Sequence, residues 1–328
     1  MNKIQSIFSI LPLTFTFQAL APAEFPDFPS SMLRGALGYA LVGLKHKNGK
    51  PILFEKRNLQ EILYKNALVP PEILKLTGKK DASQLRAGYW FNPLESGAKF
   101  YKAGDIMSFG FTICGQYAKY LEQIIQAFKI MGEEGLGINR KKAEFRLLYV
   151  TSKNFDESTD LVWEINNKDL VLPKYGMSYQ DFENYELNGD FLKLKLNTPS
   201  AHTTEISTYG SIPFHLLLNS LAERLQDLSL IYGDAKFNKQ QIENFDKAYN
   251  IKLESVNLKR YYYERKSNNK SHIEPIIGYL GELVYKGSKQ VLDNYLALIL
   301  FGQYLHFGNH IVHGAGNYLI NNECYRFI

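Results

Sequence analysis

Cysteine is scarce. The 328 residues contain two, Cys114 and Cys324, far apart and each alone. Neither a disulfide framework nor a thiolate metal site is suggested, and a reducing, cytoplasmic setting fits. Long hydrophobic runs are also missing. No stretch reaches about 18 consecutive apolar residues, so no spanning helix is expected and a membrane is not among the expected partners. Charge of one sign is not in large excess. Lys and Arg total 38 against 33 Asp and Glu, a formal charge of +5, which permits an anionic partner without demanding one. Neither the GxxxxGK[ST] phosphate loop nor the GxGxxG dinucleotide pattern occurs, nor does HExxH. A mononucleotide triphosphatase is thereby disfavoured. No exact internal repeat is visible.

What is present is a globular composition: 45% hydrophobic, 14% aromatic and 22% charged residues. Disordered, collagen-like and coiled-coil chains are excluded. The length passes the point where one hydrophobic core stops growing, so two domains are expected.

The N-terminus offers two readings. Lys3, the stretch from Ile7 to Leu20 and Ala21-Pro22-Ala23 imitate a signal peptide. Ser9, Pro12, Thr14, Thr16 and Gln18 interrupt the apolar run, and Leu13 to Phe17 alternates with period two. A half-buried first strand over about 6–19 is the preferred reading. A helix follows through Met32 to Leu41, with Ser30 or Ser31 as its cap. Next comes a basic turn, Lys45-His46-Lys47-Asn48-Gly49-Lys50. A helix near 58–65, strands near 87–92 and 106–113, a helix at 115–131 and a strand at 143–151 complete the first half. A polar, acidic connector covers 152–188. The second half runs from a strand at 191–196 through a helix at 213–231 and paired strands at 256–264 and 276–286. A helix at 289–304 and a strand at 318–320 finish it. The fold class is α+β, and both halves read as βαββαβ. The expected domains are 1–151 and 189–328, joined by the connector.

Two clusters carry the chemistry. The first, Phe301 to Tyr318, has four glycines in fifteen residues (Gly302, Gly308, Gly314, Gly316) and three of the seven histidines. Backbone amides of such a loop can cradle phosphate. His306, His310 and His313 are spaced for a metal only on a helix, and the intervening glycines argue against one. No metal is expected, and the histidines suit acid–base work or phosphate contact. The second cluster is Lys259-Arg260-Tyr261-Tyr262-Tyr263-Glu264-Arg265-Lys266, with Lys270 and His272 beyond it. Cations interleaved with tyrosines suit RNA, since the cations meet phosphates and a ring can stack on a base. A solvated edge hairpin is the competing reading.

Several segments together resemble the CRISPR-associated endoribonucleases that process precursor RNA, in the repeat-associated mysterious protein (RAMP) superfamily. Leu33-Arg34-Gly35-Ala36-Leu37-Gly38 looks like that family's first-helix motif. Tyr101-Lys102-Ala103-Gly104-Asp105, Phe109 to Ile113 and Gly135-Leu136-Gly137 are similar to its mid-domain signature. Leu194 to Pro199 looks like the strand opening its second domain. Gly278 to Glu282, Leu305 to Gly308 and Gly314 to Tyr318 resemble its C-terminal signature.

The resemblance implies tandem ferredoxin-like (RRM-like) domains that bind CRISPR repeat RNA within precursor crRNA. It implies one cut per repeat, without metal or other cofactor. The upstream 2′-hydroxyl attacks the scissile phosphate and leaves a 2′,3′-cyclic phosphate and a 5′-hydroxyl. A base, an acid and cations for the phosphorane are then required. The resemblance points to His46, His306, His310, Tyr39, Arg34 and Lys45 for these roles. It assigns RNA contacts to Lys259, Arg260, Arg265, Lys266, Lys270, His313, Gly308, Gly314 and Gly316. Two departures stand out. The first helix holds no histidine, since Tyr39 follows Gly38 and His46 comes after the helix. Where relatives often place a lysine after the glycine matching Gly308, this chain has Asn309-His310. The alternative function is a non-catalytic RAMP subunit that carries or caps the guide RNA. Other CRISPR effector subunits and a second copy of the chain remain open as partners.

Overall fold

The computed structural model describes residues 8–46, 48–94, 97–138, 143–167, 169–173, 176–200, 211–234, 236–238, 242, 245–266 and 273–327. The chain divides into two compact units, Ile10–Gly176 and Met177–Ile328, the latter together with Met1–Ser9. Among the described residues no helix is long and apolar enough to cross a membrane.

The first unit is built on β1, Ser9–Ala19. Leu11, Leu13, Phe15 and Phe17 alternate along it and are buried, the period of a strand with one face on a core. The segment that imitates a signal peptide is thus the central strand of a sheet. Then come α1 (Ser30–Val42), α2 (Leu59–Lys65) and α3 (Pro71–Thr77). Strands β2 (Tyr89–Leu94) and β3 (Ile106–Cys114) precede α4 (Leu121–Glu133), and β4 (Phe145–Lys153) and β5 (Thr159–Glu164) follow it. The sheet order is β2-β3-β1-β4-β5, and every neighbouring pair is antiparallel. The first four strands therefore stand in the order 2-3-1-4 of the ferredoxin-like βαββαβ unit.

Two expectations change in detail. Ser30 and Ser31 lie inside α1, whose N-cap position is Pro29 with no side-chain cap. The stretch 152–188 carries β5, which pairs Thr151 with Leu161 and Ser152 with Asp160. The core between the sheet and its helices is aromatic. Phe128 of α4 meets Phe15 at 3.9 Å and Phe111 at 5.0 Å between ring centroids. Truncating such a ring costs about 3–5 kcal/mol.

The second unit repeats the plan with β6 (Phe191–Ser200), α5 (Phe214–Tyr232), β7 (Lys252–Lys266), β8 (Ile273–Lys286), α6 (Lys289–Leu305) and β9 (Tyr318–Ile320). Its order is β7-β8-β6-β9, again antiparallel and again 2-3-1-4. Leu192, Leu194 and Leu196 of β6 face a core with Leu217, Leu221 and Leu225 of α5, all buried. The Tyr285 hydroxyl donates to Ile212 O at 2.7 Å and the Tyr318 hydroxyl to Ile299 O at 2.6 Å. Buried phenols need such partners, because an unmade hydrogen bond in the core costs more than a made one contributes.

Candidate nucleic-acid interface

Arg34 sits on α1, half-buried. Its Nε donates to the Tyr89 hydroxyl at 3.0 Å, and its guanidinium lies 4.4 Å from the centroid of the Tyr64 ring. The two tyrosine rings stack at 5.0 Å and 15°. The Tyr64 hydroxyl donates back to Arg34 O at 2.6 Å. Gly38, one turn along the helix, leaves room for this ring: a Cβ there would lie 3.0 Å from Tyr64 Cε2. Burial holds the Tyr64 phenol well above its ordinary pKa and pushes that of Tyr89 up to about 12, although Arg34 opposes both shifts. Both phenols therefore keep their protons at neutral pH and cannot neutralise the guanidinium.

Tyr39, on the same helix, is 66% exposed. Lys45 and His46 lie in the turn after α1 and are exposed. Backbone bonds from His46 N to Lys50 O and from Gly49 N to His46 O, both 2.8 Å, hold that turn. Arg34, Tyr39, Lys45 and His46 are thus gathered on α1 and the turn that ends it. Lys47 of the basic turn lies outside the described residues.

The glycine-rich loop is different. His306 is fully buried at φ 62. Its Nδ1 lies 3.1 Å from Ala315 O, and its Nε2 lies 3.2 Å from Asn317 Nδ2. This pairing makes Nδ1 the donor and Nε2 the acceptor of a neutral ring. Burial, reinforced by the buried Arg224 cation and opposed by the Ala315 bond, lowers its pKa to about 3. Arg224 itself donates from Nε to Leu305 O at 2.6 Å. His306, expected as an acid or base, thus occupies a structural position.

The phosphate cradle expected of the loop is likewise not what its glycines form. The amide of Gly308 donates to Ser220 Oγ at 3.2 Å. Those of Gly314 and Gly316 donate to Ile311 O at 2.8 Å and Pro199 O at 3.1 Å. These donors are committed within the protein. Of the other two histidines, His313 is buried, whereas His310 is half-buried in a left-handed turn at φ 57.

His306 carries a pH signature. Folded, it stays neutral down to about pH 3; unfolded, it takes up a proton near its ordinary 6.5. The unfolded state therefore binds more protons in that window. The contribution is complete above the unfolded value and is lost as pH falls toward the folded one, by about 1.4 kcal/mol per pH unit. Denaturant unfolding of His306→Gln should show less acid sensitivity between pH 7.5 and 5.5 than the wild type. Parallel losses in the two proteins would contradict the neutral buried ring.

The basic hairpin is formed by β7 and β8, with β7 at the sheet edge. Lys259 and Arg260 are exposed and point to opposite faces, opposite Leu280 and Tyr279 in register. Tyr262, 57% exposed, stands opposite Ile277 on the face of Arg260. The backbone of Arg265 and Lys266 continues the strand; their side chains, with Lys270 and His272, lie outside the described residues. Among the described residues no group of three or more His, Cys, Asp or Glu side chains is placed to hold a metal ion.

The sequence motifs contained Arg34 and Asn317 but not Tyr64, Tyr89 or Arg224. A cation among the apolar residues of α1 was the one available signal that partners must exist.

Both units have the ferredoxin-like strand order of an α+β protein, the first with an arginine held by neutral phenols and the second with a tyrosine-bearing basic hairpin. Known proteins sharpen this. A family model described as an N-terminal domain matches residues 8–174. The model of the CRISPR-associated endoribonuclease Cas6 matches residues 194–318. No curated protein matches the chain. Among solved structures, Thermus thermophilus Cas6 is similar with a TM-score of 0.52 at 12% identity, over 96% of this chain and 99% of that one. A Cas6 product complex gives 0.50 at 12% identity, over 95% and 99%. A partial Cas6-RT-Cas1–Cas2 complex gives 0.57 at 15% identity, over 98% of this chain and 48% of that one. Over residues 194–318 the chain thus matches the family of CRISPR-associated endoribonucleases Cas6, and its fold is similar to that of solved Cas6 structures.

Proposed function

We propose that the protein binds CRISPR repeat RNA and cuts precursor crRNA once per repeat, without metal, by attack of the upstream 2′-hydroxyl. The observation that carries this reading is the Arg34 guanidinium. It is half-exposed, has no ion pair among the described residues and is held by groups that do not cancel its charge. An uncompensated arginine fork is suited to a phosphodiester and to the extra charge of a phosphorane. His46, exposed in the turn after the same helix, supplies the acid–base function, with Tyr39 and Lys45 beside it in sequence. His310, half-buried in the glycine-rich loop, makes a phosphate contact. Lys259 and Arg260 of the hairpin bind the RNA backbone, and the exposed Tyr262 offers a ring for stacking. That a Cas6 relative is known as a product complex, and another within a Cas1–Cas2 assembly, supports repeat RNA and other CRISPR subunits as partners.

The test is cleavage of end-labelled repeat RNA from the same genome in excess EDTA, beside a strand with a 2′-deoxy sugar just upstream of the cut. Full cleavage of the first strand and none of the second is expected. Cleavage lost to EDTA would overturn metal independence. Cleavage of the deoxy strand would overturn 2′-hydroxyl attack. Tight binding without cleavage would make the chain a guide-RNA carrier.

A further inference from the structure

Tyr64 and Tyr89 belong to no part of the reaction described so far, yet their geometry is directed at Arg34. Tyr89 is fully buried on β2, and its ring packs on Phe111 of β3 at 5.6 Å between centroids. It is therefore fixed to the first unit's sheet and its core. Tyr64 stacks on it from α2, and its hydroxyl pins the α1 backbone at Arg34 O. Between them the two tyrosines take the Nε hydrogen and one face of the guanidinium. Among the described residues neither Nη group has a hydrogen-bond or ion-pair partner.

We propose that Tyr64 and Tyr89 are positioning residues that hold Arg34 as a preorganised two-pronged fork for one RNA phosphate. The inference rests on the cleavage reading above. It accounts for an arrangement that stability alone does not require. A half-buried cation placed against phenols, with no ion-paired carboxylate among the described residues, is left short of counter-charge until an anion arrives. Fixing the long arginine side chain beforehand removes side-chain entropy that RNA binding would otherwise lose. It also sets the plane of the fork, on which bidentate phosphate recognition depends.

A double-mutant cycle separates positioning from independent action. Tyr89→Phe keeps the ring and its packing while removing the Nε acceptor. In single-turnover cleavage, Arg34→Ala should be slower by about a hundredfold and Tyr89→Phe by about tenfold, with the double variant no slower than Arg34→Ala. Should Arg34→Ala fail to fold, Arg34→Lys takes its place in the cycle. Losses that multiply would mean that Tyr89 acts on its own, and wild-type rates in Tyr89→Phe would mean that it acts on nothing. Either result overturns the proposal. Arg34→Ala should also lower the slope of log affinity against log salt by about 0.7–0.9, the signature of one lost phosphate contact. A lowered melting temperature with affinity and slope unchanged would assign the cluster to stability alone.

If the wild type binds repeat RNA but does not cleave it, the cleavage reading fails. The same cycle read on affinity then decides the fork: coupled losses uphold it and additive losses overturn it. A wild type that does not bind repeat RNA overturns both.

Discussion

Alanine in place of His46 is expected to slow single-turnover cleavage of repeat RNA by about 10²–10⁴-fold while changing RNA affinity less than about twofold, the pattern of a lost acid–base group. The imidazole is exposed and the turn that presents it does not depend on it. Its backbone is closed by His46 N to Lys50 O and Gly49 N to His46 O, and Asn48 Oδ1 accepts from Lys50 N at 3.1 Å. Removing the ring therefore leaves the turn's own bonds intact, and the melting temperature should not move. A proton-transfer role has a second signature: the pH–rate profile of the variant should lose one limb while its salt dependence stays that of the wild type. A phosphate-binding role would do the reverse, flattening the salt dependence and raising the dissociation constant. Wild-type cleavage by His46→Ala would leave His46 a surface turn residue. The half-buried His310 would then be the histidine to replace next.

Much of this frame was legible in the sequence, because it rests on local periodicity. The alternation of Leu13 to Phe17 identified a strand, and that strand is the centre of the first sheet. The helical spacing of Leu217, Leu218, Leu221, Leu225 and Leu228 located α5, and each of these side chains is buried. The two βαββαβ orders followed from listing such elements. The site was legible only in part. Arg34 stood within a family motif, but its partners come from 30 and 55 positions further along. No window of sequence joins them; the sheet and α2 do. His306 shows the opposite difficulty. Three histidines among glycines suggest exposed chemistry, whereas the burial of His306 is decided by Asn317, Ala315 and Arg224 around it. The acidic stretch 152–188 reads as a connector by composition. Yet Val162 is buried and β5 closes the sheet edge, since a short strand can be polar on its open side.

Alanine at Gly316 should be among the most damaging single substitutions in the second unit. The residue lies at φ 76, a backbone conformation that costs a side chain about 1–2 kcal/mol. Space decides the larger part. A Cβ there would stand 1.9 Å from Phe307 O, 2.9 Å from Phe307 C and 3.0 Å from Phe307 N. All three are backbone atoms, so no rotamer change relieves the clash. The two segments would have to separate. They are joined by Phe307 N to Gly316 O at 3.1 Å, and Gly316 N ties the loop to Pro199 O of β6 at the same distance. Next along the chain, Asn317 N donates to Thr198 Oγ1 at 2.8 Å, and the Asn317 side chain meets His306. Parting the segments therefore loosens the buried histidine as well as two backbone bonds. Overpacking at about 1–3 kcal/mol and lost bonds at about 1 kcal/mol each bring the sum to roughly 4 kcal/mol or more, against a usual total of about 5–15. Thermal unfolding should show a transition lower by about 10 °C, or no folded second unit. Gly35→Ala is the matched control: it lies within α1 and its Cβ would meet nothing within 4 Å. It should raise stability by up to about 1 kcal/mol. Equal melting temperatures for the two variants would mean that the loop does not hold its tight passage against Phe307, and that close packing is not why glycine stands at 316.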